Sequence, residues 1–177
     1  MDNVGPLRAI TPYRVAMFNL LAEWAALASF TITALTVAAI DSVQFRIPDR
    51  ILLPGSALTL TLLTLAASSP GNHTAWNRAI LCSVFSLTTY LLLHLTNRDN
   101  LGFGDVKLAG LIGLVTGWFG AGFTVLATVA AFLAAGFAVV VLILRGKMRL
   151  HSRFAFAPWM ALGAVAAIVS GLVAGSR

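Results

Sequence analysis

The sequence predicts an all-α integral membrane protein that crosses the bilayer about six times. Of its 177 residues, 59% are hydrophobic and only 10% are charged. Soluble proteins usually carry about 25% charged residues, and a domain of this size could not hide so much apolar surface from water. The apolar residues also fall into six runs, and a helix needs about 20 residues to cross a bilayer. We therefore expect residues 1–177 to form a single integral-membrane domain surrounded by membrane lipids.

The six apolar runs follow one another along nearly the whole chain. A short polar arm, 1–14, precedes the first run, which only Glu23 and a few small polar residues interrupt. In the polar segment after that run, Pro48 disfavours helix immediately before it. Gly120-Ala121-Gly122 predicts a tight turn between the fourth and fifth runs. The predicted spans cover 15–40, 51–67, 79–95, 108–119, 123–144 and 155–174.

The charge pattern predicts the topology. The net charge is +6, and the basic residues lie scattered between the apolar runs. Such scatter is typical of charges that lie beside anionic lipid, and it argues against nucleic acid as a partner. Lys and Arg are more frequent in the loops after spans one, three and five than in the alternate loops. These loops are therefore predicted to be cytoplasmic, with both termini outside.

Cysteine usage narrows the possible chemistry. Cys82 is the only cysteine, which excludes an internal disulfide and a Cys-x-x-Cys zinc site. No Gly-rich, nucleotide-cradling motif follows a strand-like run. The sequence thus predicts neither a metal site nor another cofactor.

Two carboxylates lie at the ends of apolar runs. Asp41 ends the first run, and Asp105 opens the fourth after a turn that contains Gly102 and Gly104. Two complete crossings separate the acids along the chain, so both return to the same, cytoplasmic face. A carboxylate near the membrane is costly to desolvate and is therefore a candidate functional group. The glycines permit close backbone approach and turn dihedral angles that other residues resist.

Asp105 also belongs to a stripe of small residues. Ala109, Gly113 and Gly117 follow it at steps of four, which places them on one face of a helix. Small residues let membrane helices approach closely, so this face is expected to meet a neighbouring helix instead of lipid. The sixth run carries a similar stripe, Gly163, Ala167, Gly171 and Gly175.

A carboxylate pair suits the hydrolysis of an amide bond. Two carboxylates a few ångströms apart cannot both ionise easily, so they share a proton and act as base and acid on one water molecule. If Asp41 lies at the carboxyl end of its helix and Asp105 at the amino end of its own, the helix dipoles favour the charge on Asp105. Asp105 would then activate water, while Asp41 holds the proton. The residues alone leave two alternatives open, a symmetric pair and two interfacial helix caps without a catalytic role.

The segments around both acids resemble a known family. Asp41 is followed by Arg46-Ile47-Pro48-Asp49, and Asp105 lies in Gly102-Phe103-Gly104-Asp105-Val106-Lys107. Together these segments resemble the two signatures of the type IV prepilin peptidase family, membrane aspartic proteases of the GxGD type. Residues 154–158 are similar to the family's later Phe-Gly-Pro-like motif, with Ala157 in place of the usual glycine.

The resemblance implies an activity, a substrate and a location. Asp41 and Asp105 would be the catalytic pair of an aspartic endopeptidase. The enzyme would cut the basic leader from prepilins or pseudopilins, just before their hydrophobic helix. The cut would occur at the cytoplasmic face of the cell's inner membrane.

Neighbours of the two acids are expected to assist them. Asp49 and Asp99 are expected to attract a Lys/Arg-rich leader, although surface acids often only solvate a loop. Lys107 is consistent both with support of the active-site loop and with a lysine that reaches the membrane interface. The residues expected to support the active-site loop are Gly102, Gly104, Lys107 and Pro48.

The sequence does not assign a definite role to two further polar residues, His94 and Glu23. His94 lies near the cytoplasmic end of the third span and fits an interfacial histidine better than one that tunes the pair. Glu23 needs a partner if it lies within the membrane, and the sequence names none.

The resemblance favours the compact members of the family. Larger bacterial members carry a cytoplasmic loop with paired cysteines and also methylate the new amino terminus of the substrate. This chain contains neither that loop nor the cysteines, so we expect peptidase activity without methylation. It looks more like the compact members that serve tight-adherence (Flp-type) pili, or like archaeal preflagellin peptidases.

Two other classes are alternatives. A presenilin-like intramembrane protease shares the GxGD turn, but its sequence would also contain a Tyr-Asp pair and a Pro-Ala-Leu segment. Here Ile40 precedes Asp41, and Trp159 follows Pro158. A non-enzymatic transporter or assembly subunit would use its acids to carry protons or cations. Its sequence would show an internal repeat and helices broken at mid-membrane. No repeat is visible, and both acids lie at span ends.

Overall fold

The protein is a bundle of helices throughout the part of the chain that its computed structural model describes. That part comprises residues 5–69, 71–96, 101–146 and 154–173, with side chains described from residue 14 onward. It contains six helices, which confirms the all-α prediction. These are α1 (Gly5–Gln44), α2 (Asp49–Ala66), α3 (His73–Thr96), α4 (Phe103–Phe119), α5 (Ala121–Leu144) and α6 (Ala157–Val173).

Four of these helices are long and apolar enough to cross a membrane. They are α1 from Arg14 onward, α2, α3 and α5. The helix α6 is apolar and has 17 residues, and α4 has the same length. A length of 17 residues lies at the lower end of the range for transmembrane helices. The chain is therefore a multi-pass membrane protein.

The helix α4 lies at the centre of the bundle. From Asp105 to Phe119, every residue except Lys107 is buried. Among the described residues, α4 contacts each of the other five helices. The helix that carries Asp105 is thus surrounded by protein.

The small residues of α4 allow close packing against α3. A methyl group at Gly113 would lie 2.6 Å from the backbone oxygen of Cys82, and one at Gly117 would lie 2.5 Å from Cys82 Cβ. The hydroxyl of Ser83 also donates to the Gly110 carbonyl at 2.8 Å. The prediction that this face meets a neighbouring helix is confirmed. The small residues of α6 also allow close packing against a neighbouring helix, because Gly163 contacts the backbone of α5.

The ends of several elements differ from the predicted ends. The helices α1 and α3 begin at Gly5 and His73, before the predicted starts at 15 and 79. An apolar run marks where a helix is buried in lipid, whereas the helical hydrogen bonds continue through the flanking polar residues. The predicted three-residue turn is a single residue, Gly120, whose N–H donates to Thr116 and whose carbonyl accepts from Phe123.

Candidate active site

The carboxyl end of α1 and the amino end of α4 meet at one end of the bundle. Asp41 lies in the last turn of α1 and Asp105 in the first turn of α4. Their relative exposures are only 6% and 8%. The two carboxylates lie within electrostatic range of each other. The structure therefore brings together the two acids that the sequence singled out.

The turn before α4 holds the Asp105 side chain. Gly102 is the N-cap residue of α4, and its N–H donates to Asp105 Oδ2 at 3.0 Å. The Asp105 N–H donates in return to the Gly102 carbonyl at 3.1 Å. A methyl group at position 102 would lie 3.3 Å from the carboxylate oxygen. Gly102 thus supplies a donor and leaves room for the carboxylate that the donor binds.

Asp41 is held by the beginning of α6. The N–H of Ala157, the first residue of that helix, donates to Asp41 Oδ2 at 3.2 Å. Ala157 is fully buried. Residues 154–158 formed the third segment of the family resemblance, and their contact with Asp41 gives them a place in the site.

The helix ends set the local field at both acids. The structure confirms the two helix ends on which the dipole argument rested, since α1 ends at Gln44 and α4 begins at Phe103. It adds a third, because the amino terminus of α6 also faces Asp41. The carboxyl end of α1 disfavours a negative charge there, whereas the amino end of α6 favours one. The field difference between the two acids is therefore smaller than the sequence alone indicated.

Gly104 brings the two acid-bearing segments into contact. A methyl group at this position would lie 2.6 Å from the Cβ of Ile47. Ile47 belongs to the connection between α1 and α2, where Pro48 is the N-cap residue of α2. Glycine is therefore required by the close approach of a neighbouring segment. The predicted supporting roles of Gly104 and Pro48 stay predictions, and this contact is their structural basis.

Lys107 and Asp49 form a second link between the same segments. The Lys107 ammonium donates to both oxygens of Asp49 at 2.8 Å. It also lies 5.1 Å from the centre of the Phe103 ring. Asp49 was predicted to attract the leader and Lys107 to support the active-site loop. In the structure these two residues are paired with each other. Asp99, the other predicted leader-binding acid, lies outside the described residues.

The helix α3 contributes two residues that sequence reasoning did not place in the site. Tyr90 is buried, with its ring centre 5.7 Å from that of Phe132 and 6.3 Å from that of Phe156. Both Tyr90 and His94 lie within electrostatic range of Asp105. Their spacing of four places them on one helix face, but the sequence does not reveal that this face meets α4.

Glu23 belongs to a different part of the bundle. It lies roughly 27 Å from Asp41 along α1. The amide nitrogen of Asn72 donates to its Oε1 at 3.3 Å. The structure thus supplies a partner for Glu23 that the sequence did not name.

The described residues contain no group of three or more His, Cys, Asp or Glu side chains that could hold a metal ion.

Comparison with known proteins identifies the family. A sequence model described as the Type IV leader peptidase family matches residues 28–144. The chain belongs to this family. The match includes both Asp41 and Asp105, whereas α6 lies beyond it.

The chain is similar to proteins named prepilin leader peptidase/N-methyltransferase from Burkholderia pseudomallei strains 1026b and K96243. Each is 29% identical over 154 residues, which cover 83% of this chain and 47% of the relative. The chain therefore spans about half the length of these curated relatives of the leader peptidase family. No solved structure matches it significantly.

Proposed function

We propose that this protein is a membrane aspartic endopeptidase that removes the basic leader from type IV prepilins or pseudopilins. The observation that carries the proposal is the meeting of Asp41 and Asp105, two buried carboxylates from separate helices, within electrostatic range. Membership of the Type IV leader peptidase family supports it. Both acids lie at helix ends, so the cut would fall at a membrane surface. The positive-inside rule supports the cytoplasmic surface, and membership of the family supports the inner membrane as the location.

The proposed reaction uses one water molecule and both acids. The ionised carboxylate takes a proton from water as the water oxygen attacks the scissile carbonyl carbon. The protonated carboxyl donates to the carbonyl oxygen, which gives a tetrahedral intermediate. When this intermediate collapses, the C–N bond breaks and the leaving nitrogen takes a proton from the carboxyl pair. The backbone donors of Gly102 and Ala157 keep each carboxylate oriented during these transfers.

The surroundings of the site suit a substrate with a basic leader and an apolar helix. Val43, Phe45 and Phe103 lie beside the acids with at least half of their surface exposed. Asp49 is 54% exposed although Lys107 binds it, so a leader lysine or arginine can approach its outer side. We propose Asp49 and Asp99 as the acids that attract the leader.

The substrate class that we propose is the Flp-type prepilin of tight-adherence pili. The single cysteine and the short connections between the helices support a compact peptidase. Archaeal preflagellin is the second candidate, because the same features fit it.

Coexpression with candidate substrates tests the proposal. A Flp-type prepilin, a pseudopilin and a preflagellin are each expressed with the protein, and mass spectrometry of the intact substrate reports leader removal. We expect removal from the Flp-type prepilin and none when both acids are replaced by asparagine. Cleavage of preflagellin alone would change the substrate class. Failure to cleave any of the three by correctly inserted protein would contradict the peptidase function.

A further inference from the structure

One peptide group connects His94 to Asp105. The Nδ1 atom of His94 lies 2.6 Å from the Leu101 carbonyl oxygen. A carbonyl oxygen can only accept, so Nδ1 carries the proton and donates it. The same peptide group continues into the N–H of Gly102, which donates to Asp105 Oδ2 at 3.0 Å. His94 and Asp105 thus hold opposite sides of the Leu101–Gly102 peptide.

The planarity of this peptide links the two hydrogen bonds. The carbonyl and the N–H of one trans peptide lie in a plane and point in opposite directions. Holding the carbonyl of Leu101 therefore fixes the direction in which the N–H of Gly102 points. Hydrogen bonds in such a chain also polarise and strengthen one another. The rigid Leu101–Gly102 peptide thus connects the position of the His94 ring to the orientation of the Asp105 carboxylate.

Packing fixes the histidine ring itself. Its centre lies 5.8 Å from that of the Phe103 ring at an interplanar angle of 57°. Phe103 in turn lies under the ammonium group of Lys107. The histidine is half-buried on the last turn of α3, so it joins the end of that helix to the first turn of α4.

We propose that His94 is a positioning residue of the active site, which orients the Leu101–Gly102 peptide and through it the Asp105 carboxylate. The proposal rests on the peptidase function proposed above. His94 acts on Asp105 and not on the substrate.

The test compares three substitutions of His94. In His94→Asn the amide nitrogen takes the place of Nδ1, whereas in His94→Gln it takes the place of Nε2. His94→Leu removes both donors. Thr96→Val serves as the matched control, because Thr96 lies exposed at the same end of α3 and its hydroxyl donates to the Leu92 and Leu93 carbonyls of its own helix.

The expected result is a loss of kcat that only asparagine rescues. We expect His94→Leu and His94→Gln to lower kcat by about 10- to 100-fold with little change in KM, as a misplaced catalytic group does. His94→Asn should stay within about threefold of the wild type, since its amide nitrogen keeps the hydrogen bond to the Leu101 carbonyl. The Thr96→Val variant should match the wild type. Equal kcat for the Asn and Gln variants, high or low, would overturn the proposal, even if the Leu variant does not fold.

A second measurement does not depend on peptidase activity. Amide hydrogen exchange at the turn, followed by mass spectrometry of fragments that begin within α3 and include residues 101–106, reports the protection of the Gly102 amide. We expect faster exchange in the Gln variant than in the Asn variant and the wild type. Unchanged exchange in both variants contradicts the role of His94. If the wild type cleaves no prepilin but the exchange pattern is as expected, the proposed function fails and the positioning role holds.

Discussion

The ammonium group of Lys107 binds both carboxylate oxygens of Asp49 at 2.8 Å and so joins the amino-terminal parts of α4 and α2. Lys107 lies two residues after Asp105, and Asp49 begins the helix that follows Asp41. The side chains are 27% and 54% exposed, so the pair adds at most a modest amount to the free energy of unfolding. The pair joins the segments that carry the two acids, and we propose that it helps to set their spacing.

Reversal of this ion pair separates loop support from leader binding. We expect Lys107→Glu and Asp49→Lys each to lower kcat/KM by about tenfold, since each puts like charges opposite one another. The double variant restores the pair with opposite polarity. If the pair only supports the loop, the double variant recovers both kcat and KM. If Asp49 also attracts the basic leader, kcat recovers while KM stays raised. Steady-state kinetics on a prepilin peptide distinguishes these outcomes. If neither kcat nor KM recovers in the double variant, both roles are refuted.

Asp41→Asn and Asp105→Asn are each expected to abolish cleavage while membrane insertion is retained. Asparagine keeps the size of the side chain and an oxygen that accepts from Ala157 or Gly102, but it cannot transfer the shared proton. Loss of a general acid or base lowers the rate by roughly 100-fold or more. Leader removal measured on purified protein, with detergent elution profiles as the folding control, tests this. Wild-type turnover by either variant would remove that residue from the catalytic pair.

Gly104→Ala is expected to lower activity, whereas Gly122→Ala is not. Each glycine is the second residue of its helix. A methyl group at position 104 would lie 2.6 Å from Ile47 Cβ, while one at position 122 meets nothing within 4 Å. The first substitution must push apart the segments that carry the two acids, and a shift of about 1 Å lowers kcat by about 100-fold. Similar activity of the two alanine variants would show that the approach of Gly104 to Ile47 is not needed.

Much of this arrangement could be predicted from the sequence. The apolar runs mark the helices, and the two crossings between Asp41 and Asp105 place both acids at the same face. The steps of four from Asp105 to Gly117 correctly indicate the face that meets α3. These predictions succeed because they depend only on the period of a helix and the thickness of a bilayer.

The contacts between distant segments around the two acids could not be predicted in the same way. The bond from Ala157 to Asp41 joins residues 116 positions apart, and the sequence does not say how α6 docks. The pairing of Lys107 with Asp49 depends on how two loops approach each other. The role of His94 depends on the orientation of one peptide group, which no pattern of side chains encodes.

Substrate cleaved by this protein alone is expected to carry no added methyl group. The paired-cysteine loop of the larger methylating members is missing from the 177 residues. Mass spectrometry of the cleaved prepilin, with a methyl donor supplied, checks this expectation. A mass increase of one methyl group at the new amino terminus would disprove it.

The helix dipoles favour Asp105 as the more frequently ionised member of the pair, whereas desolvation by the surrounding protein and the nearby Asp41 carboxylate both oppose a charge on it. It faces the amino end of α4, which favours a negative charge by about 0.3–1 kcal/mol in exposed cases. Asp41 faces the carboxyl end of α1 and the amino end of α6, whose effects oppose each other. Site-resolved titration of both carboxyl groups in nanodiscs measures the order in which they lose their protons. If Asp41 ionises first, the roles of base and proton holder are exchanged.

The contact between Ala157 and Asp41 has a consequence for biogenesis. The ribosome makes α6 after the five other described helices, so Asp41 enters the membrane long before its backbone donor exists. A nascent chain that has reached α5 already contains both acids, but Asp41 still lacks the helix terminus that orients it. The hydrogen bond that orients Asp41 is therefore formed only late in the synthesis of the chain.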